Sequence, residues 1–435
     1  MSFFNWKDNK GKNKKREGTQ YDWDTLLIWG FAACLAICCL LFKQYDNIND
    51  SRQQIAIHHF DYSEERVETV DGEIEEDNAP ANLYAKYALL MDASNRRVLF
   101  EKSGYEKVPM ASTTKIMTLL VTLENANLQD KVTVSEYAAS MPDVQLNIRE
   151  GEQYVLSDLL YSLMLESHND TAVAIAEHVG GSVEGFAEMM NQKAKELGAY
   201  NTNFVTPNGL DAPEHYTTAY DLALIASYAI QNEAFLQYTQ AASHSFQEIS
   251  TGRSFTVNNK NKFLSSYDGA IGIKTGFTND AGYCFVGAVR QQEKTFVSVV
   301  LACGWPPNKN YKWKDTTKLM DYGVNEFEMK EIITKGTAFQ QIPVDNAIEG
   351  NTITPQVTES VSLLVGKEDI SYDVKLPKLL SAPVEEGETV GEVVIYIGDE
   401  IYKVLPLHSV EERNEITYQY ILENILRDYF FIFQG

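Results

Sequence analysis

From Thr25 to Phe42 the chain runs eighteen residues without a charge, TLLIWGFAACLAICCLLF. Hydrocarbon offers a backbone no hydrogen-bond partner, so a run of this kind crosses a bilayer only as a helix. At 1.5 Å per residue it spans about 27 Å, close to the roughly 30 Å of a bilayer core. Six cations precede it (Lys7, Lys10, Lys12, Lys14, Lys15 and Arg16) and an acidic stretch follows. That asymmetry places the N-terminus in the cytoplasm and everything after residue 42 outside. The next residues, KQYDNIND, contain no small-x-small cleavage site, so the run reads as a retained single-pass anchor rather than a cleaved leader. The expected division begins with a basic cytoplasmic segment (1–24) and an anchor (25–42).

Residues 43–82 read as an acidic linker. Eleven acidic side chains between Asp46 and Asp77 face only Arg52 and Arg66, a composition that repels itself and stays extended. His58 and His59 within it read as a solvated pair rather than metal ligands. Across the whole chain 61 acidic residues outnumber 37 basic ones, a net charge of −24, which excludes a nucleic-acid partner that would need surplus cations. Three of five cysteines (Cys34, Cys38, Cys39) lie in the apolar run. Cys284 and Cys303 remain, either as a cross-strand disulfide or, the favoured reading, as buried free thiols. There is no HExxH pair and no Cys/His cluster at zinc spacing, so neither a metal nor a cofactor is expected.

The globular part begins with a β-hairpin, Ala88–Asp92 and Val98–Phe100. Helical patterns follow at Thr113–Asn125, Ser157–Glu166, Thr171–His178, Val183–Leu197 and Thr218–Gln231. Gly272–Lys274 reads as a strand, and Tyr283–Arg290 with Lys294–Ala302 as a hairpin. Strands at both ends with helices between predict an α+β domain over 83–328, an antiparallel sheet flanked by helices plus a helical subdomain. Short strands with turn signals predict a small all-β domain over 329–410. The tail, 411–435, reads as an amphipathic helix that lies on a membrane or packs on the β domain.

Three strings carry chemistry. Ser112-Thr-Thr-Lys115 opens an apolar helix, so Ser112 and Lys115 share a face one turn apart. Ser167-His168-Asn169 follows a helix, and Lys274-Thr275-Gly276 closes a strand. Singly each has an ordinary explanation: a helix cap, surface charges, a turn. Together, in this order and context, they are what an active-site serine acyltransferase needs. A serine hydroxyl needs an adjacent base. No GxSxG elbow and no histidine in a triad string is present, so Lys115 is the candidate. Lowering a lysine pKa from about 10.4 to about 7 costs about 4.6 kcal/mol, and burial and the neighbouring Lys274 both push that way. Ser167 can relay a proton to the departing amine and Asn169 can hold a substrate amide. Lys274 and the Thr275 hydroxyl offer a carboxylate site, and Gly276 lets a substrate backbone approach the strand. Asp170 reads as a helix N-cap.

At these residues the sequence resembles the penicillin-binding proteins, specifically the low-molecular-mass D-alanyl-D-alanine carboxypeptidases. MASTTKIMT, LMLESHNDTAVAIAEHVGG, TPNGLD, TAYDLA and IGIKTGFTNDAGYCFVGA look like that family's blocks, and APVEEGETVGEVVIYI is similar to its C-terminal module. The resemblance implies a β-lactamase/transpeptidase-like fold on the outer face of a bacterial cytoplasmic membrane. It also implies hydrolysis of peptidoglycan stem peptides ending in D-Ala-D-Ala, with β-lactams as covalent inhibitors. Ser112 would be the acylated nucleophile, Lys115 its base, and Ser167 with Asn169 the second catalytic element. Lys274 and Thr275 would bind the terminal carboxylate, and the N–H groups of Ser112 and Phe277 would form the oxyanion hole. His168 departs from the small residue or Asp that relatives carry there, and reads as a tolerated side chain.

Two other classes stay open. A class A β-lactamase would need a deacylating glutamate in an ExxLN-type string, and Glu188-Met-Met-Asn191 does not fit it. A non-catalytic penicillin-binding sensor or wall-binding protein would not need the intact strings.

Overall fold

The computed structural model describes residues 62–68, 79–142 and 144–432. The expected cytoplasmic segment, the anchor run and the His58–His59 pair lie outside the described residues. Among the described residues no helix is long and apolar enough to cross a membrane.

The first domain is built on five antiparallel strands in the spatial order Arg97–Lys102, Tyr87–Asp92, Lys294–Leu301, Gly282–Gln291 and Ala270–Thr278. Its central strands are apolar on both faces because both faces are covered. Leu89 and Met91 point into one core with the helical subdomain, while Ala88 and Leu90 point into another. The second core is closed by the helix Tyr311–Glu326. Cys284 belongs to the first core and Cys303 to the second. The sheet itself separates them, and both are buried free thiols.

The buried centre of the helical side is Lys115–Asn125, in which every residue from Lys115 to Thr122 is buried. Two threonines tolerate that position because their hydroxyls are bonded. Thr118 donates to the Pro207 carbonyl at 2.6 Å and Thr122 to the Thr118 carbonyl at 2.7 Å. Around it pack Leu156–Leu165, Asn169–Gly180, Val183–Glu196 and Ala219–Ala229. The five helices expected between Thr113 and Gln231 are each present to within about two residues at each end. Among the elements that periodicity did not announce are the helices Glu233–Gln240 and Tyr311–Glu326 and two short hairpins, Lys131–Thr133 with Gln153–Val155 and Ser243–Gln247 with Ser254–Asn258.

The second domain has its own core, from Ile333 to Leu407. Its largest sheet orders Ile370–Pro377, Thr389–Ile397, Glu400–Ser409 and Pro355–Val357. A fifth strand comes from the segment read as linker: Tyr62–Glu68 runs antiparallel to Ile370–Pro377, with Glu65 opposite Val374. An edge strand presents a row of open N–H and C=O groups, and an extended acidic segment can satisfy them with its backbone whatever its composition. The two domains touch where Arg97 reaches across the boundary. Its Nη1 pairs with Glu368 Oε1 at 3.0 Å, and its Nη2 donates to the Leu364 carbonyl.

The tail helix is Tyr418–Ile432. Tyr418 is 81% and Ile425 60% exposed, with Ile421, Leu422 and Leu426 also exposed. That apolar face does not bury itself against the β domain.

Candidate active site

The turn that carries Ser112 is a short 3-10 helix, Ala111–Thr114, leading directly into the buried helix that starts at Lys115. Lys115 Nζ lies 2.9 Å from Ser112 Oγ, 2.9 Å from Asn169 Oδ1 and 2.5 Å from the Asn208 carbonyl oxygen. The two amide oxygens can only accept. A neutral amine has two N–H groups and one lone pair, so it donates to both of them and turns its lone pair to the Ser112 hydroxyl. The surroundings favour that form. Lys115 is 0% exposed, and burial first, then the charge of Lys274, hold its pKa well below the ordinary lysine value, against a smaller opposing pull from Asp170.

Lys274 is likewise no surface charge. It is 2% exposed, burial lowers its pKa to about 7, and its Nζ donates to the Thr275 carbonyl at 3.1 Å. The KTG string lies inside the strand Ala270–Thr278, which runs on past it and forms the free edge of the sheet. The expectation that the string closes the strand is corrected to that extent. Gly276 has a requirement that the sequence did not reveal. A Cβ there would stand 3.0 Å from both Ser112 N and Ala111 Cβ and 3.2 Å from Thr113 N. Any larger residue would force the strand or the serine turn to give by a few tenths of an ångström. Phe277, next along, is 38% exposed.

The third string sits where a left-handed residue joins two helices. Ser167 has φ 71°, and its Oγ is buried without a hydrogen-bond partner among the described residues. Asn169 begins the helix Asn169–Gly180, and its Nδ2 donates to the Pro142 carbonyl at 3.2 Å. With Oδ1 toward Lys115, both ends of this amide are engaged, and one of them positions the Lys115 amine. His168 is turned away, bonded to Ser162 Oγ at 2.7 Å and lying 3.4 Å from Glu166. It is a buried anchor of the helix junction. Asp170 is not the helix cap; His168 occupies that position. Instead the Asp170 carboxylate accepts from Leu146 N at 3.0 Å and Ile148 N at 3.2 Å, tying down the loop beside the centre.

The structure therefore brings Ser112, Lys115, Asn169 and Lys274 into one buried polar centre, with Ser167 beside it and Thr275, Gly276 and Phe277 on the bordering strand. Sequence reasoning missed Asn208, whose carbonyl also lies 3.3 Å from Ser112 Oγ. Its Asn-Gly turn was visible, but a main-chain acceptor leaves no mark on residue type. Among the described residues no group of acidic, histidine or cysteine side chains could hold a metal.

A serine hydroxyl 2.9 Å from a buried lysine amine, under the edge strand of a sheet backed by helices, is the arrangement expected of a serine-type peptidase of the β-lactamase-like fold. A family model for D-alanyl-D-alanine carboxypeptidases of peptidase family S11 matches residues 74–304, and a model of the penicillin-binding protein 5 C-terminal domain matches residues 327–415. The D-alanyl-D-alanine carboxypeptidase DacF of Bacillus subtilis is 30% identical over 354 residues, covering 79% of this chain and 90% of the relative. Among solved structures, penicillin-binding protein 5 of Haemophilus influenzae aligns with a TM-score of 0.65 at 26% identity, over 78% of this chain and 99% of that one. The Streptomyces K15 DD-transpeptidase aligns at 0.53 and 33% identity over 56% of this chain and 99% of its own. The chain belongs to the D-alanyl-D-alanine carboxypeptidase family S11. It is a serine peptidase with a penicillin-binding fold.

Proposed function

We propose that Ser112 is the nucleophile with which this enzyme removes the terminal D-alanine from peptidoglycan stem pentapeptides. The observation that carries the reading is the buried Lys115 amine, 2.9 Å from Ser112 Oγ and held on its other sides by Asn169 Oδ1 and the Asn208 carbonyl. Ser112 Oγ attacks the carbonyl of the penultimate D-alanine while its proton passes to Lys115. The oxyanion forms against the Ser112 and Phe277 N–H groups. Ser167, whose Oγ has no hydrogen-bond partner among the described residues, carries the proton onward to the departing amine, and water then releases the acyl group by the reverse route. Lys274 and Thr275 hold the terminal carboxylate, Gly276 keeps the strand edge open, and Asn169 binds the substrate amide while orienting the base. A β-lactam enters as the same kind of acyl donor.

We further propose that Thr25–Phe42 anchors this body by a single pass on the outer face of the cytoplasmic membrane. The cation asymmetry around that run supports it, and the exposed apolar face of Tyr418–Ile432 supports contact of the tail with the same bilayer. Residues 83–328 form the catalytic domain in this reading and 329–410 its β module.

Mass spectrometry after exposure to benzylpenicillin should find the drug on the peptide containing Ser112. A modified peptide elsewhere, or none, would overturn the assignment. The pH profile offers a second check. Lys115 works when neutral and Lys274 when charged, so kcat/KM should rise on the acid side as Lys115 loses its proton. It should fall on the alkaline side as Lys274 discharges through about 7. Lys274→Arg stays charged throughout and should lose that alkaline limb; a limb unchanged in the variant would remove Lys274 from carboxylate binding.

A further inference from the structure

The carbonyl of Ala111 and the N–H of Ser112 belong to one peptide group. In a planar trans peptide they point in opposite directions, so whatever fixes the carbonyl also aims the N–H. Ala111 has φ 50°, a left-handed conformation that costs an alanine about 1–2 kcal/mol and persists only where neighbours impose it. Gly209 makes room for it: a Cβ there would lie 2.0 Å from the Ala111 oxygen. Thr114 holds it, its Oγ1 donating to that oxygen at 2.8 Å.

The Thr114 hydroxyl is held in turn by a residue far away in sequence. His215 Nε2 lies 2.9 Å from Thr114 Oγ1, and the histidine is 5% exposed. Its other nitrogen, Nδ1, accepts from Val205 N at 3.0 Å and Thr206 N at 3.4 Å. A ring nitrogen that accepts carries no proton, so the proton of the neutral imidazole sits on Nε2. The chain then has a single direction, from Nε2–H to the Thr114 oxygen and from the Thr114 O–H to the Ala111 carbonyl.

We infer that His215 is a positioning residue for the oxyanion hole, aiming and polarising the Ser112 N–H through Thr114 and the Ala111 carbonyl. The inference rests on the proposed role of that N–H. Each bond in such a chain strengthens the next by about 10–30%. Burial, aided by the nearby Lys115, lowers the imidazole pKa to about 4, so the ring stays neutral and the chain keeps its direction at neutral pH.

The test uses the full chain with Thr114→Val, His215→Leu, the double variant and His215→Gln. Two quantities are read: the rate of acylation by benzylpenicillin, and the infrared stretch of the ester carbonyl in the acyl-enzyme. Both single variants should acylate about tenfold to a hundredfold more slowly, with the stretch moved to higher frequency because the carbonyl is held less tightly. The double variant should be no slower than the slower single, since both changes break one chain. His215→Gln, which keeps an N–H donor, should recover much of the rate. Slow acylation with an unmoved stretch, or losses that multiply in the double variant, would reduce His215 to ordinary packing and overturn the inference. An ester band missing from the wild type would remove the nucleophile assignment itself, and the inference with it.

Discussion

Ser112→Ala should abolish release of D-alanine from a D-Ala-D-Ala peptide and abolish covalent labelling by a fluorescent penicillin. With the nucleophile gone only binding and the oxyanion donors remain, and the loss in kcat should reach about 10⁴-fold or more. The fold should survive, because Ser112 is half-buried at the mouth of the centre and its neighbours keep their own bonds. Retained thermal stability alongside zero labelling is the expected pair of results. Labelling of Ser112→Ala at the wild-type rate would show that another group carries the acyl chain. A sensor that merely binds would show no D-alanine release even as wild type.

Lys115→Ala should come close to the same loss by a different cause. The hydroxyl is still present, but nothing within reach can take its proton, since Asn208 O and Asn169 Oδ1 hold the amine and are poor bases. Acylation should fall by about 10³-fold or more. Truncation also strips two buried acceptors of their donor, at about 1–3 kcal/mol each, so a lower Tm is expected here and not in Ser112→Ala. Lys115→Arg is the sharper variant. It keeps a donor but stays protonated, and it should be as inactive as Lys115→Ala. An active Lys115→Arg enzyme would refute the neutral-amine mechanism, whatever its Tm.

The strings at 112, 167 and 274 were legible because their chemistry resides in side chains and their spacing follows from a helix turn or a strand. The same reasoning could not find Asn208, whose contribution is a carbonyl common to all residues. Nor could it find His215, a hundred residues from the turn it supports and joined to it only by tertiary packing. The helix Tyr311–Glu326 was obscured by its own composition. It buries Lys312 and Asp315, which a periodicity count scores as solvent-facing. In fact the Lys312 ammonium sits 4.6 Å and 4.9 Å from the ring centroids of Tyr283 and Trp313, and an Asp315 oxygen receives the Ala85 amide at 2.7 Å. Asp170 misled in the opposite way. Its place beside a helix start fits a cap, and only the fold shows that the 144–148 loop has claimed its oxygens.

The strand Tyr62–Glu68 alters the geometry of attachment. An anchor at 25–42 would leave only residues 43–61 to bridge the gap between lipid and the β module, and even a fully drawn-out chain of that length covers no more than about 60–70 Å. Under the proposed anchoring the leash would clip to the rear module, on a short radius. Stem peptides in the innermost layers of wall would be within its range, and those farther out would be cropped only as they pass.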